Sequence, residues 1–117
     1  MDCKIVAGTI IWVRLGPRGD WKERPAVVLG APNADGELYI VPGSTQPATD
    51  PDHQLELPSA VGRHPLTKLK ERTLIDLDWF EKIDAGSVLE VKGSCPPSLL
   101  VEIQQKIRAL HPKIPRP

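Results

Sequence analysis

Short apolar runs alternate with polar breaks through the first third of the chain. Thr9-Ile10-Ile11-Trp12-Val13-Arg14-Leu15 is β-branched and apolar and stops at Gly16-Pro17, which predicts a strand. Gly16 to Glu23 is a polar loop punctuated by Gly and Pro. Pro25 opens a second run, Ala26-Val27-Val28-Leu29, closed by Gly30; proline is tolerated as a first strand residue. Asn33-Ala34-Asp35-Gly36 is turn chemistry, with Asp35-Gly36 a hairpin signal, and Glu37-Leu38-Tyr39-Ile40-Val41 is its partner strand. Gly43 to Asp52 reads as a proline-broken loop. Gln54–Leu57, Thr73–Leu77 and Ser87–Val91 are further strand candidates, with a helical turn expected between Leu77 and Ile83. At the end the period changes. Leu99, Ile103, Ile107 and Leu110 recur at helical spacing, Pro96-Pro97 suits a first turn, Ser94 is a candidate cap, and His111-Pro112 is the stop. The pattern predicts five or six short antiparallel strands followed by one amphipathic helix, packed as a small barrel or half-barrel.

Composition narrows this picture. At 117 residues and 12.9 kDa the chain is one small domain, 1–112, with a short proline-rich tail, 113–117. That is too short for a two-domain dinucleotide enzyme or a TIM barrel. Lys+Arg and Asp+Glu are equal at 15 each, so no whole-molecule field draws in nucleic acid, and any such contact depends on local charge asymmetry. Cys3 and Cys95 have no CxxC or CxxH spacing and read as reduced thiols; no metal site or cofactor is expected. Met1 to Gly8 holds no apolar run long enough for a signal peptide, and no run approaches a membrane span, so the expected compartment is the cytoplasm.

Three strings in order carry a resemblance: Gly8-Thr9-Ile10-Ile11-Trp12-Val13, Lys22-Glu23-Arg24-Pro25-Ala26-Val27-Val28-Leu29, and Val41-Pro42-Gly43-Ser44-Thr45-Gln46. Together they resemble the MazF/PemK toxins. That family opens with a GDIVWV-like strand, continues with K-x-RP followed by an aliphatic run, and ends the next strand on a Ser/Thr pair. Lys92-Gly93-Ser94 and the Leu99–Leu110 helix are similar to the family's closing strand and helix. The resemblance implies an SH3-like antiparallel β-barrel with a C-terminal α-helix, assembled as a homodimer. It also implies metal-independent cleavage of single-stranded RNA and a cognate antitoxin that blocks the active groove.

Such cleavage uses the adjacent 2′-hydroxyl as nucleophile. It needs a proton acceptor, charge stabilisation at phosphorus and a donor to the leaving oxygen. Arg24 is the candidate stabiliser, because its guanidinium stays charged and matches two phosphate oxygens. The bland alternative for Arg24 is a salt bridge at a loop edge with Glu23. Ser44 or Thr45 supplies a hydroxyl: a gapless alignment on the family chooses Ser44, an alignment by identity chooses Thr45, and alternation turns the two to opposite faces. Some family members carry a basic residue and a carboxylate two positions apart as acid and base. Here a count back from Ile75-Asp76 puts Lys68 on the basic position and Lys70 on the carboxylate, which leaves Glu71, His53 or His64 as the base, or none. Lys22, Lys68, Lys70 and Arg72 are candidate phosphate contacts, and Trp21 a candidate stacking residue for an RNA base. Two other readings stand beside this one. One is a catalytically weak barrel that binds nucleic acid or a protein; the other is a proline-peptide module, disfavoured by so few aromatic residues.

Overall fold

A computed structural model describes residues 5–15, 22–44, 53–78 and 81–110, with the backbone alone at Leu15 and Ser44. Seven strands and one helix follow in order: β1 (Thr9–Leu15), β2 (Lys22–Val28), β3 (Glu37–Ser44), β4 (Gln54–Leu57), β5 (Thr73–Asp76), β6 (Glu81–Asp84), β7 (Val88–Ser94) and α1 (Pro97–Leu110). All pairings are antiparallel, in the order β4-β5-β3-β2-β1-β7, with β6 also on β3. The sheet curls without closing, so the expected barrel is an open one with edges at β4 and β7.

The β2–β3 turn forms as its residues dictate. Asn33 Oδ1 accepts from the amides of Asp35 and Glu37, both at 2.9 Å, and Gly36 takes φ +75°, a conformation costly for any side chain with a Cβ. Alternation along the central strands then sorts side chains into two cores. Ile10, Val27, Leu29 and Val41 fall on one face, covered by Ile103 and Ile107 of α1. Ile11, Val13, Ala26, Val28, Leu38 and Ile40 fall on the other, closed by Ile83 of β6 with Val88 and Val91 of β7. Burial on both faces is why these strands read as continuous apolar runs.

Four expectations are corrected. Pro25 is interior to β2, not its first residue: β2 pairs with β1 as far back as Lys22 but with β3 only from Ala26 onward, so the proline precedes the doubly bonded stretch. Pro42 does not end β3. The far edge of β3 pairs with β6 over Glu37–Ile40 and with β5 at Gly43–Ser44, and the proline stands where the partner changes. The helical turn expected over 77–83 is a turn at Leu77-Asp78 followed, from Glu81, by strand β6, whose Ile83 fills the second core. Ser94 is the last residue of β7 rather than a cap, and α1 starts at Pro97 with Leu100 N–H donating to Pro96 C=O at 2.9 Å.

Cys95 sits in the first core, 5% exposed, and burial pushes its thiol up to about 11. An unfolded chain ionises this thiol near pH 9 while the folded one holds the proton until about 11, so its contribution to stability is intact below pH 9 and lost as pH rises between the two. The unfolding free energy of the wild type should fall by about 2–3 kcal/mol more than that of Cys95→Ala across this window. Parallel slopes in chemical denaturation of the two proteins would show that the thiol titrates as in the open chain.

Candidate active site and basic cleft

Arg24 is half-buried on β2, with Val13 as its Cα partner on β1. Alternation puts it on the face of the second core, beyond Ala26. Glu23 lies 3.7 Å from Arg14, its cross-strand partner. The β2–β3 register runs Val28–Ile40, Val27–Val41, Ala26–Pro42. The ladder ends there: Arg24 lies two residues beyond it on β2 and Ser44 two residues beyond it on β3. Ser44 is held on its other side by Leu74 of β5. Thus the arginine and the hydroxyl position of the gapless alignment lie at the same end of two neighbouring strands. Lys22 is exposed at the start of β2, two residues from Arg24 and therefore on the same face. Trp21 and Thr45 lie outside the described residues.

Lys68 and Lys70 are elsewhere. They do not lie on a strand, because β5 begins only at Thr73; they belong to the loop 58–72. Trp12 and Pro25 are cross-strand partners and face away from Arg24. With Lys68, Leu69, Lys70, Glu71, Thr73 and Lys92 they line a cleft of about 280 Å³ at the end of the first core. Three ammonium groups against one carboxylate make this the local basic patch that a net charge of zero requires; Lys92 Nζ is also 3.3 Å from Glu90 Oε1. The indole N–H of Trp12 is buried and has no hydrogen-bond partner, at a cost of about 1–3 kcal/mol. Arg72 is turned to another use, with its Nε 3.1 Å from Glu56 Oε1 in an exposed ion pair across β4 and β5. Sequence reasoning missed Lys92, Pro25 and Trp12 as lining residues. They come from three strands, and no local motif connects them.

The loop that carries the lysines is fixed by its own polar groups. Thr67 Oγ1 donates to Pro58 C=O at 2.7 Å and accepts from Leu69 N–H at 3.2 Å. His64 Nδ1 accepts from Leu66 N–H and Thr67 N–H at 3.1 and 3.2 Å, so the ring carries its proton on Nε2 and serves the loop. At Gly93 of β7 the loop comes so close that an added Cβ would stand 2.5 Å from the carbonyl oxygens of Leu66 and Thr67.

Of the other candidate bases, His53 is oriented by Asp78, both carboxylate oxygens lying 2.8–2.9 Å from Nδ1. Its backbone bonds Leu77, three residues along β5 from the Leu74 that pairs with Ser44, and β4 is two strands from β3. At ~4.8 Å per strand and ~3.3 Å per residue, roughly 14 Å separates His53 from position 44 across the sheet. Glu71 lies in the cleft, on the other face from Arg24. Among the described residues no three of His, Cys, Asp and Glu are grouped to hold a metal ion. No helix among them is long and apolar enough to cross a membrane.

A model of the PemK-like, MazF-like toxins of type II toxin–antitoxin systems matches residues 7–111. The chain belongs to this family. Its fold is also that of solved family structures. A crystal structure of MazF from Deinococcus radiodurans superposes with TM-score 0.73 at 22% identity, covering 93% of this chain and 97% of that one. Two MazE–MazF crystal structures from the same organism give TM-scores of 0.68 and 0.67 at 21% and 19% identity, over 93% and 92% of this chain and 96% of each of theirs. No curated protein sequence matches significantly.

Proposed function

We propose that this MazF-like chain is the toxin of a toxin–antitoxin pair and cleaves single-stranded RNA without a metal. The placement of Arg24 and position 44 at the same end of adjacent strands, both just beyond the β2–β3 ladder, supports this reading. In it, the 2′-oxygen attacks the neighbouring phosphorus, the bond to the 5′-oxygen breaks, and a cyclic phosphate and a 5′-hydroxyl result. Arg24 offers its fork to the two non-bridging oxygens, where charge grows in the transition state. Ser44 orients the attacking hydroxyl or donates to the phosphate. Among the described residues neither His53 nor His64 is placed to take the proton. A homodimer fits the sheet edges that β4, β6 and β7 leave open among the described residues. The protein partner in this reading is a cognate antitoxin, as MazE accompanies MazF in the Deinococcus radiodurans structures.

One observation favours a second reading, a binding barrel of weak activity: a lysine, Lys70, stands where some relatives carry the catalytic carboxylate. The test is incubation of purified protein with a long single-stranded RNA in excess EDTA. Discrete fragments are expected, and intact RNA at micromolar protein would leave the binding reading. In the same assay Ser44→Ala should slow single-turnover cleavage about tenfold, or 1.4 kcal/mol. Thr45→Ala should do less, and the reverse order would make Thr45 the active hydroxyl.

A further inference from the structure

The loop 58–72 turns on an acceptor unlike those of the other turns. In the β2–β3 turn Asn33 Oδ1 accepts from two amides, and Asp76 Oδ1 and Asp84 Oδ1 each accept from the amide two residues on, at 2.9 and 2.8 Å. At His64 an imidazole nitrogen does the same work, with Leu66 N–H and Thr67 N–H donating to Nδ1 at 3.1 and 3.2 Å. Amide and carboxylate oxygens keep their lone pairs through the neutral range. An imidazole loses its only acceptor when it takes a second proton, and it is the side chain whose ordinary charge change falls between about pH 5 and 8. We propose that His64 is a pH-sensitive latch: the neutral ring holds loop 58–72 against β7, and the doubly protonated ring releases it.

Three features make the release a movement of the loop. Thr67 is fully buried, so its freed amide reaches no water unless the chain shifts. Arg63 and Lys68, on either side of the turn, take φ 110° and 64°, and they are the non-glycine residues with positive φ among the described residues. Their strain is held by the bonds between them and drives opening once those bonds are lost. Leu66 lies inside the turn, and its C=O accepts from Ser94 N–H of β7 at 3.0 Å, so an opening at the ring reaches the strand. The other charged groups here are Arg63, Lys68, Lys70, Glu71 and Arg72 on the loop itself, and Lys92 and Glu90 on β7, which pair at 3.3 Å. Glu56 on β4 pairs with Arg72, and Asp76 on β5 caps its own turn. Among the described residues no carboxylate pairs with His64, so no ion pair stabilises the charged ring in its latched position.

The test is native-state hydrogen exchange of the intact protein at about pH 7.5 and pH 5.5, corrected for the intrinsic rate of each amide. Protection at Leu66, Thr67 and Ser94 should fall about tenfold or more at the lower pH, while the core amide of Leu29, which donates to Tyr39 C=O at 2.9 Å, stays protected. His64→Asn supplies an oxygen acceptor that does not titrate, as Asn33 does, and should keep the three amides protected at both pH values. His53→Asn removes another titrating ring and should leave the wild-type response in place. Nitrogen-15 spectra of the wild-type His64 ring at the higher pH should show the proton on Nε2 and Nδ1 bare. Equal protection at both pH values, an equal loss at Leu29, or a ring protonated on Nδ1 overturns the latch, and all three are read on the wild type should His64→Asn misfold. The same acid loss in folded His64→Asn, or its disappearance in His53→Asn, also overturns it and assigns the response to other groups.

Discussion

Arg24→Ala should cut single-turnover RNA cleavage by about 100- to 1,000-fold, or ~2.7–4 kcal/mol of transition-state stabilisation. Charge accumulates on the non-bridging oxygens as the 2′-oxygen bonds to phosphorus. A fork on a strand paired to β1 at this position meets that charge with little reorganisation. Arg24→Lys should recover only a small part of the rate, because one ammonium cannot bond both oxygens in a plane. The side chain is half-buried at the end of the second core and not within it, so thermal unfolding should shift by only a degree or two. In cells, induced expression should arrest growth and Arg24→Ala should relieve the arrest. A folded Arg24→Ala protein that cleaves at the wild-type rate would take this residue out of the chemistry.

Gly93→Ala should be the most damaging alanine substitution among the glycines Gly8, Gly36, Gly43, Gly62, Gly86 and Gly93. A Cβ there would stand 2.5 Å from the carbonyl oxygens of Leu66 and Thr67 and 2.6 Å from the carbonyl carbon of Thr67. All three are backbone atoms of a loop fixed by its own hydrogen bonds, so no rotamer change gives way. The loop must lift, and the bond from Ser94 N–H to Leu66 C=O, 3.0 Å long, opens with it. We expect a loss of about 3 kcal/mol, near the top of the range for overpacked sites, and a fall of roughly 10 °C in unfolding temperature. Hydrogen exchange at the Ser94 amide should accelerate with it. Lys68 and Lys70 ride on this loop, so RNA affinity should drop as well, although neither lysine is changed. A variant with unaltered Tm and a protected Ser94 amide would mean that the contact is looser than these distances.

Strand identity was largely local information. Gln54–Leu57 alternates cleanly, and the runs at Thr9–Leu15 and Glu37–Val41 are β-branched and bounded by glycine, proline and Asx turns that act over a few residues. The Leu99–Leu110 stripe likewise marked α1 by its period. β6 was missed because four residues, Glu81–Asp84, show no period of their own; they become a strand only when β3 offers an edge. The extents of β2 and β3 were misjudged for a related reason. Whether proline interrupts a strand depends on which edge is paired at that residue, and pairing is a property of the neighbours.

The site divides in the same way. The sequence alone determined the residue types and their order: the RP pair that marks Arg24, the Ser44-Thr45 hydroxyls, a run of lysines before β5, and membership in a recognisable family. Tertiary structure alone decided which of these meet. Antiparallel pairing of β2 with β3 brings Arg24 and position 44, twenty residues apart in the chain, to the same end of the sheet. Alternation of side chains sends Pro25, the very next residue, to the opposite face, where it lines the cleft with Trp12 and Lys92. Adjacent residues in a strand belong to different surfaces and distant residues in paired strands to the same one, so a linear reading can name the chemical groups, and only the folded sheet sorts them into sites.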